Sequence, residues 1–445
     1  MEKYINYKDS EIKWLGNIPA HWESFRFIDN VFLRHGYQFR DYDFTNDGVR
    51  IVKISQLNPK GKLDLTKSSF IASDRLKSFK SIRVYQDDIL MALTGGTIGK
   101  IIRVGPIDEP ILQNYRVGNF FPDKKKLNKT FLFFLLASQI TEEQINYLLN
   151  RNGQPNIGKE SFKNMFFTLP PLPEQNQIAN YLDAKTTAID KKIKLLQQKT
   201  KHYKNYRKNL INEAITKGLD NVVKLKFSGI DWLGSIPEHW QVKRLKDVGK
   251  AIIGIVYSPS DIVDQGEGIL VLRSSNIQND KPCFLNNVYV NKVIPKHHLT
   301  KVGDILICSR NGSRRLIGKN IVIDEKTKDY TFGAFMTVLR SKNYRFLSYF
   351  FKSILFDFQS GVFMTSTINQ LTVSTLYKLS FAFPPFQEQL QIADYLDDKT
   401  ATIDNIVKNI ETQISTLKEL RKTLINEVVT GKVKVVTSTS NHQNG

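Results

Sequence analysis

Leu182, Ile189, Leu196, Tyr203 and Leu210 recur every seven residues, and Leu396, Ile403, Ile410, Leu417 and Leu424 repeat the series 214 residues further on. Ile193, Ile406, Val407, Ile414 and Leu420 add neighbouring apolar positions. Neither Gly nor Pro interrupts 174–217 or 388–430, and Gly218 and Gly431 supply the stops. A sustained seven-residue repeat marks a coiled-coil seam. Two helices of ~43 residues, each roughly 60 Å long at ~1.5 Å per residue, are therefore predicted. Two matched seams in one chain favour an internal antiparallel pair; a homodimeric coiled coil uses the same seam.

Outside the helices the period changes. Val49–Ile54, Ile269–Leu272, Ile305–Cys308 and Thr337–Leu339 are short β-branched or aromatic runs separated by Asn, Asp and Gly. Helices are expected at Lys129–Leu149 and Phe346–Phe358. The apolar run Phe131–Ala137 is a buried helix or strand, far below the ~20 residues that span a bilayer. The expected class is α+β: two β-rich mixed domains, at about 25–169 and 242–383, separated by two long helices with pseudo-twofold symmetry.

The chain also repeats itself. Trp14-Leu15-Gly16-Asn17-Ile18-Pro19-Ala20-His21-Trp22 returns as Trp232-Leu233-Gly234-Ser235-Ile236-Pro237-Glu238-His239-Trp240. Pro170-Pro171-Leu172-Pro173-Glu174-Gln175 returns as Pro384-Pro385-Phe386-Gln387-Glu388-Gln389, and Leu210-Ile211-Asn212-Glu213 as Leu424-Ile425-Asn426-Glu427. Between these landmarks the two copies share only scattered features, such as Asp88-Ile89-Leu90 and Asp304-Ile305-Leu306. A repeated framework with divergent contents suits a reader of two different half-sites.

Charge narrows the partner. Lys and Arg total 64 against 43 Asp and Glu, a net of +21, on a chain that is 41% hydrophobic and thus folded. Such an excess points to a polyanion, with double-stranded DNA first. Only Cys283 and Cys308 are present, and Met1–Ser10 lacks the apolar core of a signal peptide, so a cytoplasmic protein with no membrane association is expected.

Two loops that follow the Asp-Ile-Leu strands are candidate DNA contacts. They contain Thr94, Thr97 and Lys100 in the first copy, and Arg310, Asn311, Ser313, Arg314, Arg315 and Lys319 in the second. Arginine suits guanine edges, asparagine adenine, and lysine phosphate. Lys53, Ser55 and Gln56, with Arg273, Ser274 and Asn276, follow comparable strands and are further candidates; a hairpin with solvated cations explains any one of them as well.

These paired Trp-Leu-Gly-x-Ile-Pro-x-His-Trp segments, Asp-Ile-Leu motifs and Pro-Pro-x-x-Glu-Gln helices resemble the specificity subunits of type I restriction-modification systems over nearly the whole chain. The resemblance implies a first target recognition domain with its N-terminal segment at 1–169, a central helical spacer at 170–218 and a second recognition domain at 219–383. A distal helical region at 384–432 and a flexible tail at 433–445 complete it. It further implies a split DNA site, two methyltransferase subunits that modify adenine, and restriction subunits in the full complex. S-adenosylmethionine, ATP and Mg²⁺ would be used in those partners, with no cofactor or metal in this chain.

Catalytic motifs fit poorly. Phe383 and Leu169 precede Pro-Pro where an adenine methyltransferase needs Asn, Asp or Ser to hold the flipped base. Gly99-Lys100 and Gly318-Lys319 lack both the first Gly and the Ser/Thr of a phosphate-binding loop. Asp324-Glu325-Lys326 reads as a solvated turn, and Cys283, Cys308, His297 and His298 lack zinc-ligand spacing. A non-catalytic specificity subunit is expected, against two rivals: a DNA-binding scaffold without sequence preference, and a self-contained nuclease or methyltransferase.

Overall fold

A computed structural model describes residues 2–58, 63–152, 156–363 and 369–435. The predicted long helices run over Leu172–Lys217 and Phe386–Val429. Gly218 (φ +82°) and Gly431 (φ +74°) leave them in the left-handed region that ends a helix. The chain divides into two compact units, Met1–Leu195 with Thr412–Gly445, and Leu196–Glu411, so each unit holds one half of each long helix.

In both units the two helix halves run antiparallel. In the second, Lys204 pairs with Glu411 at 2.8 Å and Arg207 with Asp404 at 3.0 Å; in the first, Asp190 pairs with Arg421 at 3.1 Å. Seam residues Leu182, Leu396, Ile403, Ile410 and Leu424 are buried, and Ile189, Leu196, Tyr203, Leu210 and Leu417 are partly so. The positions between them carry Thr186, Thr400, Arg207 and Arg421, which the apolar series did not disclose. Leu420 is 48% exposed and lies off the seam.

Each unit adds two four-stranded sheets. In the first their orders are 69–71, 49–52, 111–113, 83–84 and 31–35, 117–122, 89–92, 101–103; in the second, 262–263, 289–290, 269–272, 331–332 and 250–253, 336–340, 305–308, 320–322. Strands Glu23–Arg26 and Phe166–Leu169 pair where the first domain is entered and left, as do Gln241–Arg244 and Ser380–Phe383 in the second. The central strands are apolar throughout because both faces are covered and side chains alternate. Ile305 and Ile307 join the core under the helices, while Leu306 and Cys308 join the core between the sheets. Ile89 and Met91, against Leu90 and Ala92, divide in the same way.

The repeated motifs are the joints of this framework. The Asp of each Asp-Ile-Leu run is buried: Asp88 Oδ2 accepts the Tyr85 N–H at 3.0 Å, and Asp304 Oδ2 the Lys301 N–H at 2.9 Å. Trp22 and Trp240 are fully buried, and their indole N–H groups donate to Glu174 at 3.1 Å and Glu388 at 3.0 Å. The repeated Gln175 and Gln389 each donate 2.8 Å bonds to Pro170 and Pro384 carbonyls. The repeated Asn426 and Asn212 accept the N–H groups of Ile140 and Leu355.

These asparagines explain one departure from expectation. The helices predicted as single runs at 129–149 and 346–358 are each broken, into Lys129–Leu136 with Gln139–Asn152 and Tyr344–Phe350 with Ile354–Phe363. Ser138 and Ser353 turn back to bond the Leu135 and Phe350 carbonyls, and each asparagine then receives an amide at the new helix start. At the other end, Lys434 donates its N–H to the Glu2 carbonyl at 2.8 Å, and Val433 and Val435 pack on the first core. The rest of the expected tail, 436–445, lies outside the described residues.

Gly318 tests how tightly the second recognition loop is held. Its φ is +82°, and a Cβ there would lie 2.1 Å from Cε1 of the buried Phe356. Gly318→Ala is expected to cost about 2–4 kcal/mol through strain and overpacking. It should lower the melting midpoint by several degrees; an unchanged midpoint would show that the loop relaxes freely.

Candidate nucleic-acid interface

In each unit the candidate polar residues lie in turns that follow one strand of each four-stranded sheet, 49–52 and 89–92 in the first unit and 269–272 and 305–308 in the second. Lys53-Ile54-Ser55-Gln56 and Arg273-Ser274-Ser275-Asn276 form the same 3₁₀ turn after equivalent strands. Gln56 Oε1 accepts the Lys53 N–H at 2.7 Å while its Nε2 donates to the Lys67 carbonyl at 2.5 Å. Asn276 Oδ1 accepts the Arg273 N–H at 2.9 Å, and its Nδ2 donates to Cys283 O and Asn287 Oδ1. Both side chains are buried, at 4% and 0% exposure. This corrects the expectation that Gln56 and Asn276 face DNA: they shape the turn.

The other candidates divide by how much of their hydrogen-bonding capacity is spent. Ser274, Asn311 and Lys319 come together, with Asn311 Nδ2 donating to Ser274 Oγ at 3.2 Å and Lys319 Nζ to Ser274 O at 3.1 Å. Arg273 donates to the Asn286 carbonyl at 2.7 Å, and Arg314 to that of Gly361 at 3.0 Å. Thr94 and Thr97 have enclosed hydroxyls without a partner among the described residues, so neither reaches solvent. Ser55, Ser313, Arg310 and Arg315 are exposed, and Lys100 is half-buried. Arg315 and Lys100 make no side-chain ion pair or hydrogen bond to a described residue.

In the first unit, Lys53 and Ser55 open on a cleft of about 750 Å³ that also takes in Arg40, Tyr42, Tyr115 and Arg116. Tyr42 is 85% exposed, Lys53 Nζ lies 4.1 Å from the Phe44 ring centroid, and the Arg116 guanidinium lies 5.3 Å from that of Tyr115. Burial lowers the Lys53 ammonium pKa, against the opposing pull of Asp41. Beside it, Asp43 accepts the Arg40 N–H at 2.8 Å and faces Arg75, and both hold its carboxyl below the ordinary range. The second unit repeats this turn, with Asp261 held low by the Ser258 N–H and hydroxyl.

Tyr42, Tyr115, Arg116 and Phe335 escaped the sequence reading. The loops that carry the last three read Asn114-Tyr115-Arg116 in one copy and Gly333-Ala334-Phe335 in the other, without a shared residue. Only strand pairing makes them equivalent: Tyr37 bridges Asn114 as Ile255 bridges Gly333.

Two recognition-sized domains thus present basic and aromatic groups on one framework. The type I restriction modification DNA specificity domain matches residues 19–201 and again 237–416. The chain belongs to this family. The putative type I restriction enzyme MjaX specificity subunit of Methanocaldococcus jannaschii is 26% identical, over 98% of each chain. The MjaVIII specificity subunit of the same organism is 31% identical over 228 residues, which is 51% of this chain and 52% of that protein. The EcoBI specificity subunit of Escherichia coli is 23% identical over 96% of this chain and 89% of its own. A chain from a structure solved for complex assembly and conformational transition of the type I R-M system shares the fold. Its TM-score is 0.70 and its identity 18%, over 94% of this chain and 99% of that one.

Within this family member Asn276 is assigned to structure, which gives a direct check. Asn276→Ala strands the Arg273 N–H and the Cys283 carbonyl, and is expected to cost about 1–3 kcal/mol, read as a lower melting midpoint. Unchanged melting combined with altered DNA selectivity would return Asn276 to the reading surface.

Proposed function

We propose that this chain confers sequence specificity on a type I restriction-modification complex by reading a split, asymmetric DNA site. Residues 25–169 read one half and residues 242–383 the other. The helical regions 170–218 and 384–432 set the spacing and dock two methyltransferase subunits, which modify adenine; restriction subunits join when unmodified DNA is cleaved. S-adenosylmethionine, ATP and Mg²⁺ act in those partners, in the cytoplasm, and this chain supplies no catalytic group. Among the described residues no cluster of three or more His, Cys, Asp or Glu could hold a metal, and no helix is long and apolar enough to cross a membrane.

The observation that carries this reading is the pairing of an identical framework with different surfaces. Glu174 and Glu388, Gln175 and Gln389, Asn426 and Asn212, and Asp88 and Asp304 each share a bond across the two units. Yet the equivalent loops hold Tyr115 and Arg116 in one and Ala334 and Phe335 in the other. A scaffold that bound DNA only through phosphates would have no need of two different surfaces. Phosphate binding alone is steeply salt-dependent and indifferent to sequence, whereas specific sites are typically preferred ~10³–10⁷-fold.

The test is genome-wide adenine methylation in cells carrying the chain with its methyltransferase subunit, compared with cells lacking only the chain. A two-part motif that disappears with the chain is expected. Methylation that is unchanged without the chain, or that shows no sequence pattern while the chain is present and bound to DNA, would favour the scaffold.

A further inference from the structure

In each unit the loop leaving the central strand crosses the loop that joins the parallel-paired strand to its neighbour. The crossings share their closing bonds. Leu93 N donates to Arg116 O at 2.9 Å, and Ser309 N to Phe335 O at 3.0 Å. The next residues, Thr94 and Arg310, bridge Asn156 and Gln370 respectively. Thr94 therefore stands where Arg310 stands in the other unit, and Arg116 where Phe335 stands.

The residue types have changed at both positions, but the product has not. Each crossing carries one guanidinium beside one aromatic ring: Arg116 beside its neighbour Tyr115, 5.3 Å from the centroid, and Arg310 beside Phe335 of the other loop, at 5.0 Å. Arg116 Nε also donates to the Tyr115 hydroxyl at 2.8 Å, which ties the guanidinium to that side chain. In the first unit the cation comes from the second loop; in the second unit it comes from the first.

These two cations differ from the other stacked arginines. Arg34, Arg50, Arg75 and Arg103 also lie on rings, but each has a carboxylate partner, and Arg83 is half-buried. Arg116 and Arg310 are exposed and have no carboxylate partner among the described residues. Their terminal nitrogens make no hydrogen bond to a described residue. Contact with a ring reduces the freedom lost on binding, while the two free terminal nitrogens can match the O6 and N7 acceptors of guanine in the major groove.

We infer that Arg116 and Arg310 are the base-reading guanidiniums of the two halves, each recognising one guanine, with Tyr115 and Phe335 as their positioning rings. This rests on the proposed reading of a split site. It makes Arg310, rather than its neighbours Arg314 and Arg315, the specificity-determining residue of its loop.

The experiment compares methylated motifs in cells carrying the full chain or its variants with the methyltransferase subunit, with melting of each purified variant as a folding control. Arg116→Ala should relax one guanine position in one half-site by about 10- to 100-fold and leave the other half intact; Arg310→Ala should do the same in the opposite half. Arg116→Lys, which keeps the charge but loses the fork, should relax the same position. The inference is overturned if either alanine variant melts normally and weakens all sites equally, which marks a phosphate contact, or leaves the motif unchanged. In both cases a wild-type split motif keeps the underlying reading intact. A wild-type chain that selects no motif overturns the reading and the inference together.

Discussion

The framework of each unit depends on a carboxylate at the first turn of a long helix. Glu174 accepts the Trp22 indole N–H, a 2.8 Å bond from His21 and a 2.6 Å bond from the Tyr4 hydroxyl; Glu388 accepts the corresponding Trp240 and His239 bonds. Burial first, and then Glu174, push the Tyr4 hydroxyl pKa well above its ordinary range. Hydrogen bonds to a charged acceptor are worth about 1.5–3 kcal/mol each, and the acid also sits at the positive end of the helix dipole. The same tryptophans meet the opposite helix end: a Cβ on Gly431 would lie 2.9 Å from Trp22, and one on Gly218 3.2 Å from Trp240. One indole thus joins the start of one helix to the end of the other, and the antiparallel seam follows from that junction.

This explains how much was legible in the sequence. The seam, the helix stops, the central strands and the repeated joints depend on local periodicity or on residues that recur, and both can be read without coordinates. The helix breaks at Ser138 and Ser353 were hidden because the capping asparagines arrive from far along the chain. Gln56 and Asn276 misled for a related reason: a polar residue after a strand resembles a surface group until its amide is seen to be enclosed on both sides. Arg116 was invisible because its counterpart is a phenylalanine, and the shared feature is a guanidinium beside a ring, made by neighbours in one loop in the first unit and by two loops in the second.

A division of labour results. The joints repeat so closely that they constrain what may vary, leaving the crossing loops and the turns beside them free to change. The loop between Cys308 and Lys319 can be longer than that between Ala92 and Lys100 because both are closed by the same bonds: Ala92 and Cys308 exchange backbone bonds with Gly99–Lys100 and Gly318–Lys319. Divergence is tolerated where it does not touch the core, and these places are also the ones exposed to a ligand.

The most direct test of this account is to replace residues 242–383 with residues 25–169, keeping both long helices, and to read the methylated motif made by the chimera with its methyltransferase subunit. Interchangeable frameworks with independent surfaces predict a symmetric motif: the first half-site followed by its inverted copy, at the original spacing. A chimera that melts like the natural chain but produces the original asymmetric motif, or no motif, would contradict the account.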